Sequence, residues 1–252
     1  MNSTPQFVGV DGSPDGWVAV RYSEAGFEDV QRYDAIQELW EENSAAETIL
    51  VDIPIGLAKD AAAREPEKAT REKLTGRTSS VFNVPIRGVL DIEDYDEANE
   101  EQKDEIDKGL QKQTFNITPR IREVDELLLD DNSDATQETL RESHPEVCFW
   151  AFHGEPMQYS KTGQPAAAFW ERVEVLKEVD NSFTSNLATA GETIVGWGKP
   201  ELSNDDLLDA FVLALTAKQG HENDYQTLPE KPTRDEKELN MEMVYAQPES
   251  GN

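Results

Sequence analysis

The chain has 252 residues, and 52 acidic against 23 basic side chains give a formal net charge of −29. One cysteine, Cys148, and three histidines exclude a disulfide scaffold and a Cys/His zinc cage within one chain, so a bound metal would need oxygen ligands. Apolar residues make up 37% of the sequence and recur periodically, which predicts a packed core. The polar start and the short apolar runs predict a soluble, cytoplasmic protein without a membrane segment.

Carboxylates are spread along nearly the whole chain, whereas lysine is scarce. This composition is typical of halophilic proteins, which work in molar intracellular salt. At about 1 M salt the Debye length is about 3 Å, so the mutual repulsion of the carboxylates is quenched, long-range attraction to phosphate is lost as well, and net charge says little about partners. In dilute salt the same charge would instead indicate a protein that avoids nucleic acids, and composition leaves both interpretations open.

The first part of the predicted fold consists of strands and one helix. Turn-rich segments separate short strands predicted over residues 6–11, 16–22 and 26–32. An amphipathic helix over residues 34–42 and a buried strand over residues 48–53 follow. Three strands joined by hairpins and followed by a helix and another strand predict an α/β fold with a mixed sheet.

Helical stretches dominate the rest of the chain. Long polar helices are predicted over residues 60–74 and 95–110, on either side of a loop rich in Ser, Pro and Gly at residues 75–89. This change in residue pattern predicts a helical insertion at about residues 56–131 within a single domain. Further helices are predicted over residues 146–152, 166–179 and 205–218, and the tail after His221 shows little periodicity before residues 241–245.

Two aspartates at the ends of predicted strands are the first candidate ligands. Asp11 precedes Gly12, a position that suits a metal or phosphate site and equally a turn-capping aspartate. Asp52 lies inside an apolar strand, where a carboxylate must be paired, protonated or bound to a cation. If the two strands are neighbours, the carboxylates repel each other unless a divalent ion bridges them. This indicates Mg²⁺ or Mn²⁺, which prefer oxygen ligands.

The last predicted helix carries another acidic pair. Asp206 and Asp209 lie three residues apart and therefore on one face, with Asp205 and Asp209 as the alternative pair. A helix cap explains the acids of the first turn. It does not explain Asp209, which is surrounded by apolar residues and needs a partner. We therefore interpret Asp206 and Asp209 as candidate metal ligands.

The segment around Ser143 gives further candidates. If it is a strand, Glu142 and His144 share one face, and His144 would position water or a leaving group. The alternative for His144 is a hydrogen-bonded histidine at the end of a strand. Glu146 is interpreted as an acid in the first turn of the next helix.

Basic residues are concentrated in the predicted insertion. We expect phosphate contacts from four arginines in loop-like sequence, Arg77, Arg87, Arg120 and Arg122. The alternative is that these cations offset the acid-rich helices nearby.

Several short sequence blocks, taken together and in their order along the chain, resemble domain of unknown function family 429. Members of that family are usually described as predicted ribonuclease H-like nucleases. The resemblance runs from about residue 7 to residue 245. Its clearest blocks are Val8-Gly9-Val10-Asp11-Gly12, Val51-Asp52-Ile53-Pro54, Ser79-Ser80-Val81-Phe82, Ile117-Thr118-Pro119-Arg120, Glu142-Ser143-His144-Pro145-Glu146 and Asp206-Leu207-Leu208-Asp209-Ala210. The chain departs from the family where Arg-x-Cys-Asp is frequent, since it has Arg64-Glu65-Pro66-Glu67 there.

The resemblance implies a ribonuclease H-like fold and a metal-dependent nuclease acting on DNA or RNA. The last block is also similar to the helix of Holliday-junction resolvases. On that analogy two divalent ions would be held by Asp11, Asp52, Glu142, Asp206 and Asp209. Two other classes remain as alternatives: a non-catalytic nucleic-acid- or protein-binding module on the same fold, and an actin-like or sugar-kinase-like phosphotransferase. The phosphotransferase normally needs a second domain and a second glycine-rich phosphate loop, and the sequence shows neither.

Overall fold

A five-stranded mixed sheet organises the molecule, and the structure, a computed structural model, describes residues 5–59 and 64–248. Three antiparallel strands come first, β1 (Gln6–Ser13), β2 (Gly16–Ser23) and β3 (Gly26–Tyr33). β4 (Thr48–Val51) pairs in parallel with β1, and β5 (Leu140–Glu142) pairs in parallel with β4. The strand order is therefore β3-β2-β1-β4-β5. This confirms the predicted α/β class and is consistent with a ribonuclease H-like fold.

The helices of the described ranges lie between and after these strands. They are α1 (Ile36–Asn43), α2 (Glu65–Lys73), α3 (Tyr95–Ile106), α4 (Lys112–Leu129), α5 (Pro145–His153), α6 (Pro165–Val179), α7 (Phe183–Gly196) and α8 (Asn204–Asn223). A separate hairpin, β6 (Gln226–Arg234) and β7 (Asn240–Tyr245), follows α8. None of these helices combines the length and apolarity that crossing a bilayer requires.

Most predicted elements are confirmed, with a few differences. The connection between β4 and β5 contains α2, α3 and α4. That this connection is an insertion within a single domain stays a prediction. Of the helix predicted over residues 60–74, residues 60–63 lie outside the described residues. The expectation of loop-like sequence around Arg120 and Arg122 was wrong, because both lie in α4, where Pro119 is untypical of a helix interior. The sequence also did not predict α7 or β6. Ser, Thr and Gly are frequent in α7, and β6 contains two prolines, so neither segment has the composition typical of its structure.

The two faces of the sheet are covered by different helices because the side chains of a strand alternate. On one face Phe7 and Leu50 belong to a core cluster with Phe211 of α8. On the other face Val10 and Val51 pack in a cluster with residues of α1 and α4. Residues that follow Val10 and Val51 by one position therefore point towards α8.

Helix α8 crosses β1 at Gly9. A Cβ atom added to Gly9 would lie 2.1 Å from the carbonyl oxygen of Ala210 and 2.1 Å from the nitrogen of Ala214, both in the backbone of α8. Only a glycine permits this close approach. The approach also fixes the position of the side chains of α8 relative to the end of β1.

We expect Gly9→Ala to lower the free energy of unfolding by about 2 kcal/mol, because the helix must move away from the sheet to admit the methyl group. Urea unfolding would measure the loss. Gly12→Ala is the matched control, since an added Cβ at Gly12 meets no atom within 4 Å. Equal stability of both variants would contradict the tight crossing.

Candidate metal centre

The site begins with two aspartates at the ends of neighbouring strands. In the parallel pairing of β1 and β4, Val10 lies opposite Val51, so Asp11 and Asp52 come next at the same level. Adjacent strands are about 4.8 Å apart. Both side chains point to the face that α8 covers, which brings the two carboxylates together as the sequence predicted.

Helix α8 supplies the third carboxylate. Asp209 precedes Ala210, whose carbonyl oxygen lies closest to Gly9 of β1. One oxygen each from Asp11, Asp52 and Asp209 lies within 4.8 Å of the others. The three come from three elements that are distant in sequence, and the sheet and helix packing described above holds them in one place.

The geometry and chemistry of this trio fit a divalent cation. Two oxygens bound to one ion at about 2.1–2.4 Å are at most about 4.2–4.8 Å apart, so a single ion can contact all three carboxylates. Asp209 Oδ1 is buried and has no hydrogen-bond partner in the described part of the chain. A buried carboxylate oxygen without a partner is costly, and a cation would satisfy it. Asp11, Asp52 and Asp209 could therefore hold a metal ion.

The electrostatics of the trio also favour a bound cation. Burial raises the pKa of Asp11 well above its ordinary range, and the charges of Asp52, Asp209 and Asp206 raise it further. Burial likewise raises the pKa of Asp52, and it raises the pKa of Asp209 to about 6 although Lys161 acts in the opposite direction. Three ionised carboxylates at this distance need a positive charge between them.

Asp206 lies one turn before Asp209, at the edge of the trio. Its two carboxylate oxygens accept hydrogen bonds from Ser203, one from the backbone N–H at 3.0 Å and one from the hydroxyl at 2.7 Å, in a capping box that begins α8. Asp206 therefore starts the helix, and its charge acts on Asp11 without joining the group of three. This agrees with the helix-cap explanation of the first-turn acids.

Glu142 lines the same cavity as the three aspartates, but it does not join the group of three oxygens that could hold one ion. Glu142 lies opposite Val51 in the pairing of β4 and β5, on the side of the sheet that faces away from Asp52. It is buried there and accepts hydrogen bonds from Arg64 Nη2 and from the N–H of Ile55, both at 2.6 Å. The expected metal ligand is thus an ion-pair partner of Arg64, which also donates to Glu67 at 2.8 Å.

His144 occupies the N-cap of α5. Its Nδ1 accepts the N–H of Glu146 at 3.2 Å, and its Nε2 lies 3.3 Å from the carbonyl oxygen of Ser80. Because a carbonyl only accepts, the ring proton belongs on Nε2. Both ring nitrogens are then engaged with the backbone, as in the alternative that the sequence left open.

A cavity of about 1540 Å³ surrounds the trio, and two of the four predicted phosphate-binding arginines line it. Arg77 Nε donates to the carbonyl oxygen of Met157 at 2.7 Å, whereas its Nη2 is buried without a hydrogen-bond partner among the described residues. Arg120 donates to Glu123 at 2.6 Å and lies over the ring of Trp17, 5.3 Å from its centroid. Both guanidinium groups are held in place beside the cavity.

The other two arginines do not line the cavity. Arg87 Nη2 donates to Asp125 and to Asp235, each at 2.7 Å, which ties the loop after β6 to the segment that precedes α3. Arg122 lies 3.7 Å from Asp91 at the surface. These two match the alternative in which the cations offset nearby acids.

We expect Asp235→Asn to destabilise the protein at neutral pH and to make it less sensitive to acid. Burial raises the pKa of Asp235, but hydrogen bonds from the N–H of Leu57 and from Arg87 outweigh it and hold the pKa below its usual range. A carboxyl group of this kind contributes stability above its unfolded pKa, and the contribution is lost as pH falls through the folded pKa. Urea unfolding should show a loss of about 1–2 kcal/mol at about pH 7 and a smaller loss at about pH 3.

The exposed Asp104→Asn on α3 is the control for this prediction, and it should show no loss at either pH. An equal loss for Asp235→Asn at both values would contradict the prediction.

Sequence reasoning missed the cations that accompany the trio. Lys161, in the turn between α5 and α6, donates to Asp209 Oδ2 at 2.5 Å and lies 3.7 Å from Glu146 Oε1. The buried Arg172 of α6 donates to the same Glu146 oxygen at 2.5 Å. Lys161 and Asp209 are 48 residues apart, and no local motif connects them. The only sequence signal was an isolated lysine in a lysine-poor chain.

Comparison with known proteins identifies the family of the chain. A family model described as "Protein of unknown function (DUF429)" matches residues 9–234. The chain belongs to the DUF429 family. The match includes Asp11, Asp52 and Asp209, so the carboxylate trio lies within the DUF429 region. No curated protein and no solved structure matches this DUF429 chain significantly.

Proposed function

We propose that this protein is a divalent-metal-dependent hydrolase that cuts phosphodiester bonds in nucleic acids. The observation that carries the proposal is the convergence of Asp11, Asp52 and Asp209 within reach of one ion, inside a large cavity. Oxygen-only ligands favour Mg²⁺ or Mn²⁺ over transition metals that prefer nitrogen or sulfur.

Each group has a role that follows from its position. Asp11, Asp52 and Asp209 would hold the cation, which when bound lowers the pKa of water and stabilises negative charge on a phosphate. Arg77 and Arg120 would contact substrate phosphates, because both residues line the cavity. Arg77 Nη2 has no hydrogen-bond partner in the described part of the chain, so a phosphate contact there would replace no bond seen among those residues.

The size of the cavity supports a polymeric substrate. Its volume of about 1540 Å³ exceeds the roughly 300–1,000 Å³ typical of sites for small ligands. Phe82 also lines this cavity and is 40% exposed, and an exposed aromatic ring is a surface on which a base can stack. DNA and RNA remain equal candidates.

The net charge of −29 constrains the conditions under which such a substrate would bind. In molar salt counterion release contributes little, so direct contacts and ion bridging would supply most of the affinity. We therefore keep the prediction of a halophilic, cytoplasmic protein as part of the proposal.

The test is incubation in about 2 M KCl, where long-range repulsion is screened, with single-stranded, double-stranded and branched DNA and RNA. Mg²⁺, Mn²⁺ or EDTA is added to matched samples. Cleavage of at least one substrate with either metal and none in EDTA is the expected result. Binding without cleavage under all conditions would favour the non-catalytic module instead.

A further inference from the structure

Lys161 places a positive charge against the trio of aspartates. Its Nζ donates to Asp209 Oδ2 at 2.5 Å and lies 3.7 Å from Glu146 Oε1, and only about a quarter of its side chain is exposed. Long surface lysines usually keep their ammonium group in water. This one is directed inward onto a residue of the trio.

The turn that carries Lys161 is held in a defined position. Glu171 of α6 accepts the backbone N–H groups of Gln158 and Tyr159, at 2.6 and 3.0 Å. These bonds fix the chain immediately before Lys161 against α6. The backbone from which the Lys161 side chain reaches Asp209 is therefore anchored to α6.

Lys161 reduces the negative charge that metal ions would have to neutralise at the trio. Glu146 faces the same region, because its charge acts on both Asp52 and Asp209. The carboxylates of the region are those of Asp11, Asp52, Asp206, Asp209 and Glu146, and the cations that contact them are Lys161 and Arg172. Lys161 therefore supplies, as a fixed side-chain charge, part of the compensation that a second cation would otherwise give.

The two carboxylate oxygens of Asp209 differ in their partners. Lys161 occupies Oδ2, while Oδ1 has no partner in the described part of the chain. An aspartate that gives one oxygen to each of two metal ions uses both of its oxygens, and Lys161 already holds one of the two in Asp209. Asp209 has one oxygen available.

We propose that Lys161 takes the place of a second divalent ion, so that the site binds a single metal ion. This inference rests on the function proposed above, and it replaces the two-ion arrangement that the family resemblance implies. The ammonium group supplies one fixed positive charge beside Asp209 and needs no other ligands. Removing it should open Asp209 Oδ2 to a second cation.

The test is isothermal titration with Mn²⁺ in about 2 M KCl, which limits weak binding to the acidic surface. The parent protein is compared with Lys161→Met, which keeps the length of the side chain without its charge, and with Lys161→Arg, which keeps the charge. Lys177→Met on α6 is the matched control, because Lys177 is partly exposed and pairs only with Glu174 among the described residues. Lys161→Gln repeats the neutral substitution with a polar side chain, and thermal unfolding of each variant checks folding.

We expect one Mn²⁺ per chain for the parent, Lys161→Arg and Lys177→Met. Lys161→Met and Lys161→Gln should bind a second Mn²⁺ or bind the first at least about tenfold more tightly. Two ions in the parent, or neutral variants that match the parent in number and affinity, would overturn this inference and leave the proposed function standing. A parent that binds no Mn²⁺ would overturn the proposed function itself.

Discussion

Asp11→Asn is expected to lower metal-dependent cleavage at least about a thousandfold. Asp11 contributes one of the three oxygens that surround the ion position, and an amide cannot supply the missing negative charge. The same change relieves repulsion with Asp52 and Asp209 when no metal is bound. The metal-free variant should therefore be at least as stable as the parent.

Loss of cleavage without loss of stability would distinguish a damaged metal site from an unfolded protein. Cleavage rates and urea unfolding in EDTA would be measured on the same preparations, with Asp104→Asn as the control because that aspartate is exposed on α3. A variant that keeps the parent rate would show that the activity belongs to a contaminant or to another site. A variant that is inactive and also much less stable would leave Asp11 as a structural residue.

Glu142→Ala is expected to cost about 3–5 kcal/mol of unfolding free energy while leaving the affinity for Mn²⁺ unchanged. The substitution removes the acceptor for Arg64 and for the N–H of Ile55, and Arg64 stays buried with Glu67 as its remaining carboxylate partner. Breaking a buried ion pair from one side is costly, because the other charge stays behind.

The exposed Glu138→Ala, four residues earlier, is the control for this prediction. Urea unfolding and Mn²⁺ titration distinguish the two possible roles of Glu142, as the ion-pair partner of Arg64 or as a metal ligand. Unchanged stability with weakened Mn²⁺ binding would make Glu142 a metal ligand, as the family resemblance implies.

The case of Glu142 shows where sequence reasoning stops. Hydrophobic patterning located β1 to β4 correctly, and it placed Asp11 and Asp52 at strand ends because each follows an apolar run. It could not set the register of β5, a strand of three residues whose pattern is too short. The register decides the face on which Glu142 lies, and a shift of one residue changes the answer.

The third carboxylate was predictable for a different reason. Asp209 is a charged residue in an apolar helix, and such a residue needs a partner wherever the helix packs. Its partners were not predictable, because Lys161 and the crossing at Gly9 depend on contacts between distant segments. The same limit applies to Arg64, where the chain departs from the family pattern and the arginine pairs with Glu67 and Glu142.

The claim on which the account depends is that one cation binds between Asp11, Asp52 and Asp209. Anomalous diffraction from crystals grown with Mn²⁺ tests it most directly. We predict one peak per chain, about 2.2 Å from an oxygen of each of the three aspartates. Saturating Mn²⁺ that leaves this position empty while the three side chains stay together would contradict the account.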